Sequence, residues 1–140
     1  MKVLQPLLWG CLFIIWFSNS AIGEVVVIAN NSVPQTTLSV QDMEMIFLGK
    51  MNKWDDGEKI RLAVLRKGKA HEDFLKKYIN KTPAKFSNYW KLIIVSGTGY
   101  PPKYFSEESD LIDYIESKKG SIGYVSKESL RNSVRVIHVK

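Results

Sequence analysis

Cysteine is almost missing from this sequence. The single example, Cys11, lies inside an apolar N-terminal run. A chain that loses that run keeps no thiol. It needs no disulfide in an oxidising compartment, and thiolate metal sites, iron–sulfur clusters and thiol catalysis are excluded. Histidine is scarce as well, with only His71 and His138. His138 alternates with Val136, Ile137 and Val139 and reads as a strand residue facing solvent. No HExxH, GxSxG or Walker loop is present. Asp55-Asp56 and Glu107-Glu108 are explained by a turn and by the first turn of a helix. No nucleophile can be paired with a base. The reading is non-enzymatic, with no catalytic residue, no metal ligand and no cofactor. Repeats, low-complexity segments and internal linkers are absent too.

What is there begins with a leader. Residues 1–23 have Lys2, an apolar run from Leu7 to Phe17, and a small, polar end in which Ala21 and Gly23 keep signal-peptidase spacing. The run is short for a bilayer, and no stop-transfer pattern follows. It reads as a signal peptide, with an uncleaved anchor as the rival. Leu8-Trp9-Gly10-Cys11 faintly resembles a lipobox, but the apolar run continues past Cys11. Residues 24–140 then form one domain, long enough for a real core. The formal net charge of the whole chain is +6, and losing Lys2 lowers it by one. A basic exported chain can meet anions, an acidic membrane surface or an acidic partner, or its charge can serve solubility alone. Nucleic acid fits poorly, because the lysines are spread along the chain.

Glu24–Asn30 reads as a buried strand and Ile60–Leu65 as a second. Between them Ser39 caps a helix with Met43, Ile46 and Phe47 on one face, stopped by Gly49. After the stretch RKGKAHEDFLKKY, which starts at Arg66, Phe74, Leu75, Tyr78 and Ile79 make an apolar helical stripe. Thr82-Pro83 starts the next helix, with Phe86, Tyr89, Trp90 and Ile93 at helical spacing. Residues 96–102 read as a loop. Ser106 is expected to cap a further helix ending near Gly120. Ser121–Val125 and Val134–Val139 read as strands. The order β-α-β-α-α-α-β-β predicts a layered α/β sandwich with a mixed central sheet. Trp54, Trp90 and Tyr124 read as packing residues.

Three stretches together resemble a known family. LSVQDMEMIFLGK, from Leu38 to Lys50, followed by Trp54-Asp55-Asp56-Gly57, is similar to a segment of the phosphate-binding proteins of bacterial ABC importers. Gly120-Ser121-Ile122-Gly123-Tyr124-Val125 resembles their "G.IGYV" strand. The basic turn and Phe74 fall where that family has a "GSGTR…F" loop. Phe86 to Pro102 resembles a short, single-lobe subgroup. The resemblance implies a single lobe of a type II periplasmic-binding-protein fold, a three-layer α/β sandwich. Full members have two lobes and close on phosphate between them.

The implied function is an exported solute-binding domain for phosphate or a similar small anion, periplasmic and connected with ABC-type transport. The alternative is a periplasmic interaction module that has lost its ligand and docks on a membrane receptor or transporter. The ligand-binding candidates are Lys67, Gly68, Lys69, Ala70 and His71 in the turn, and Ser96, Gly97 and Thr98 in the later loop. The turn departs from the family pattern: His71 takes the arginine position, and Gly68 and Ala70 take hydroxyl positions. Losing those donors removes several hydrogen bonds to a charged group, at roughly 1.5–3 kcal/mol each. Glu72 and Asp73 also fall in the first turn, where they repel a phosphate. A weak site, or one completed by a second chain such as a homodimer partner, is therefore expected.

Overall fold

The computed structural model describes residues 24–140 and, before them, only Val3. The expected signal peptide lies outside the described residues. Strand β1 is Val25–Ala29 and β2 is Thr37–Leu38, followed by helix α1, Val40–Phe47. Strand β3 is Arg61–Leu65. Helix α2, Lys69–Phe74, runs on into a π-helical turn, Leu75–Ile79. Helix α3 is Pro83–Ser96, β4 is Lys103–Phe105, α4 is Glu108–Ser117, β5 is Ser121–Ser126 and β6 is Arg135–Val139.

The six strands form one mixed sheet in the order β2-β6-β1-β5-β3-β4. β1 runs antiparallel to both its neighbours, whereas β5, β3 and β4 are parallel to one another. Adjacent residues of β5 point to opposite faces, as the pleat requires. Tyr124 meets Phe47 of α1 and Phe74 of α2. Gly123 faces the other way, where a Cβ would lie 3.1 Å from Leu111 of α4 and 2.8 Å from the Ala63 carbonyl. Helices therefore cover both faces, and the expected three-layer α/β sandwich is the one observed. α3 packs outside α1: Tyr89 Oη and Trp90 Nε1 donate to the Leu48 and Phe47 carbonyls.

Local chemistry sets the helix starts. Ser39 Oγ accepts the Asp42 N–H and Asp42 accepts the Ser39 N–H, a complete capping box. Thr82 caps α3 ahead of Pro83. The expected Ser106 cap is not formed. Glu107 holds that position without a side-chain hydrogen bond. α4 is tied down instead by Glu108, whose carboxylate accepts from the Ser126 N–H and from the Ser126 and Ser129 hydroxyls. Burial alone would raise the Glu108 pKa, but the bonds from Ser129 and Ser126 outweigh it and hold the group below its usual value. The expected loop of residues 96–102 leads directly into β4, a short edge strand that the sequence reading did not include.

Candidate functional site

Strand β3 carries buried residues from Leu62 to Leu65 and then leaves the sheet. The Arg66 N–H still bonds the Phe105 carbonyl at 2.9 Å. Gly68 has φ +105°, in the region that favours glycine, although a Cβ there would meet open space. The backbone, not crowding, requires it. Gly68 is the residue before α2, its carbonyl accepts the Glu72 N–H, and no side chain caps the terminus. The first N–H groups of such a helix lack intrahelical acceptors and face whatever lies beyond the turn.

The side chains divide sharply. Arg66, Lys67, Gly68 and Lys69 are exposed and Ala70 is half-buried. Lys69 Nζ lies 2.8 Å from Asp73 Oδ2, one helical turn on, so its charge is compensated. Arg66 and Lys67 form no ion pair among the described residues. Arg66 was not among the sequence candidates, although it opens the same basic stretch. Its charge is felt by Tyr104 of β4, whose pKa burial raises and Arg66 partly lowers.

His71 turns inward and is only 3% exposed. Its Nδ1 lies 2.5 Å from Tyr124 Oη, which also accepts the Leu65 N–H at 3.1 Å. Since Tyr124 Oη accepts from Leu65, its own proton is free to go to Nδ1. The imidazole then carries its proton on Nε2. Burial lowers the His71 pKa to about 4, so the ring is neutral at pH 7. What His71 offers an anion is its backbone N–H. Its ring braces the turn from below.

The second candidate loop lies elsewhere. Ser96, Gly97 and Thr98 end α3, with Gly97 left-handed at φ +69°. Ser96 Oγ bonds the Ile93 carbonyl and lies 2.7 Å from Thr98 Oγ1, so the two hydroxyls occupy each other. Gly97 and Thr98 line a groove with Ile60, Arg61 and Leu62, at the start of β3. The basic turn follows the end of β3, about 13 Å further along the strand. The two sequence candidates are thus separated, not joined into one site. Among the described residues, no cluster of His, Cys, Asp and Glu could hold a metal ion.

This arrangement of strands and helices is found in solved structures. A phosphate ABC transporter substrate-binding protein with bound phosphate from Clostridium perfringens matches with a TM-score of 0.63 at 14% identity. The match covers 84% of this chain and 46% of that one. A phosphate-binding protein from Stenotrophomonas maltophilia gives 0.64 at 17% identity, covering 84% and 39%. PstS from Borrelia burgdorferi gives 0.62 at 15% identity, covering 84% and 47%. The fold is that of one lobe of a phosphate-binding protein. This chain spans less than half the length of each of these three structures. No protein-family model matches the sequence, and no curated protein matches it.

Proposed function

We propose that this chain is an exported, non-enzymatic solute-binding domain that takes phosphate or a similar small anion, in connection with ABC-type transport. Residues 1–23 are its signal peptide, residues 24–140 its binding domain, and the periplasm its compartment. The observation that carries the reading is the uncapped start of α2 behind Gly68, with Arg66 and Lys67 beside it in no ion pair among the described residues. Free N–H groups, a positive dipole end and nearby cations are what an anion needs. The likeness to lobes of phosphate-binding proteins supports the choice of anion. Affinity is modest, because Lys69 is paired with Asp73 and the His71 ring is buried. On this reading a homodimer partner adds further contacts to the anion.

Calorimetric titration with phosphate at low salt, with sulfate as control, tests this directly. Lys67→Ala is expected to weaken binding roughly tenfold, the loss of one charge-assisted hydrogen bond. Lys69→Ala should cost less, because Asp73 already takes that charge. Equal affinities for the parent and Lys67→Ala would remove the turn from consideration.

A second reading has its own support. Lys69 is tied to Asp73 and the His71 ring is buried, so the turn has fewer free donors than its sequence promises. On this reading the chain is a periplasmic interaction module docked on a membrane receptor or transporter. Among the described residues no helix is long and apolar enough to cross a membrane. The absence of phosphate heat up to millimolar concentration, together with recovery of a membrane protein on the tagged chain, would favour it.

A further inference from the structure

The groove at the start of β3 has a chemistry of its own. Its volume is about 440 Å³, inside the range of sites that hold small organic ligands. Lys59, Arg61, Lys103 and Lys118 line it, and no aspartate or glutamate does. Arg61 is committed elsewhere: its Nη1 lies 2.9 Å from Glu58 Oε1 and 2.9 Å from the Lys119 carbonyl. The other three form no ion pair among the described residues. Two are held by aromatic faces. Lys59 Nζ sits 3.5 Å from the Tyr100 ring centroid and Lys103 Nζ 4.9 Å from that of Tyr114. A cation over a ring is oriented without being neutralised.

Helix ends explain only part of this charge. α1, α3 and α4 all finish beside the groove, at Phe47, Ser96 and Ser117. Each C-terminus carries about −0.5 of an elementary charge, so three contribute about −1.5. Three ammonium groups exceed that, and a surplus of about +1.5 is left facing the groove. Part of the lining is apolar, with Ile46, Ile60 and Leu62 among it. Thr98 and Tyr100 also line it.

We propose that this groove binds a compact organic anion bearing two or more negative charges, phosphoryl or carboxylate. Paired lysines on Tyr100 and Tyr114 take the charged groups, and the apolar residues take the carbon frame. The volume exceeds what orthophosphate fills, so the ligand is larger than the anion of the turn. The site lies at the other end of β3 from Gly68 and stands whether or not the turn binds phosphate.

The probes are ADP, citrate and orthophosphate, titrated into the full chain at low salt. Saturable binding of ADP or citrate, tighter than that of orthophosphate, is expected. Lys59→Ala/Lys118→Ala should weaken it by about tenfold or more, and Lys67→Ala should leave it unchanged. Lys103→Ala, on an exposed edge residue, gives a second variant that does not threaten the fold. Lys118→Arg should retain binding. The proposal is overturned if neither organic probe binds below millimolar concentration. It is also overturned if both alanine variants bind as the parent does, or if Lys67→Ala abolishes the signal.

Discussion

Trp90→Ala is expected to lower the unfolding free energy by about 3–5 kcal/mol. Trp90 is 1% exposed and is among the largest fully buried side chains of the domain. Its ring closes the space between α1 and α3, edge-on to Tyr89 at 5.7 Å between centroids. Its Nε1 donates to the Phe47 carbonyl at the end of α1, a group that truncation would leave without this donor. Neighbouring glycines confirm how tightly the indole is surrounded. A Cβ on Gly49 would come within 2.7 Å of its ring, and one on Gly99 within 3.7 Å. Where the walls are the backbone of Gly49 and Gly99 they have no side chain to move into the space, so a cavity term adds to the lost burial. Domains of this size hold only about 5–15 kcal/mol in total. The loss should appear as a fall of about 10 °C or more in Tm. Trp90→Phe should fall between the two. A loss under about 1 kcal/mol would mean that α3 is not docked through this residue. Gly49 and Gly99 also line the groove, so the alanine variant should lose groove binding along with stability.

Most of the fold was legible because its long elements have strong periodicity. Apolar runs gave four of the strands, and Ser39 and Thr82-Pro83 marked two helix starts. The two strands not foreseen, β2 and β4, have two and three residues. So short a segment has no period to read, and the sheet's edges rather than the sequence decide whether it pairs. Ser106 misled because a serine before an acidic run looks like a cap, whereas Glu108 does better by reaching across to Ser126 and Ser129. The turn itself was readable from Gly68 between strand and helix. The direction of His71 had a signal that the family comparison hid. It stands three and four residues before Phe74 and Leu75, on the apolar stripe of its own helix. The Lys69–Asp73 pair was readable by the same spacing. Of the groove, only Gly97 and Thr98 were among the sequence candidates, and its lysines were not readable. Lys59, Lys103 and Lys118 come from three distant segments, and only the parallel pairing of β3 with β4 and the end of α4 bring them together.

Acid should destabilise this protein earlier than its carboxylates require, and His71 is the reason. Its pKa is about 4 in the folded chain against about 6.5 unfolded. Above pH 6.5 both states are neutral and the burial costs nothing in protons. Below it the unfolded chain takes up a proton that the folded one refuses, so stability falls as pH drops from 6.5 to about 4. Across that window the loss is roughly 3 kcal/mol, and between pH 7 and 5 about 2 kcal/mol. Glu108 acts in a different window. Its lowered pKa contributes stability that is complete above its usual value near 4.5 and is lost only below it. The interval from 4.5 to 6.5 is therefore the imidazole's. Urea unfolding at pH 7 and 5 should separate the parent from His71→Gln, whose amide oxygen can still accept from Tyr124 but cannot titrate. The variant should start somewhat less stable and lose much less over the same drop. Parallel losses in the two proteins would mean that the ring reaches solvent and takes its proton while folded. The brace under the turn would then be absent, and with it the argument that the start of α2 is held ready for an anion.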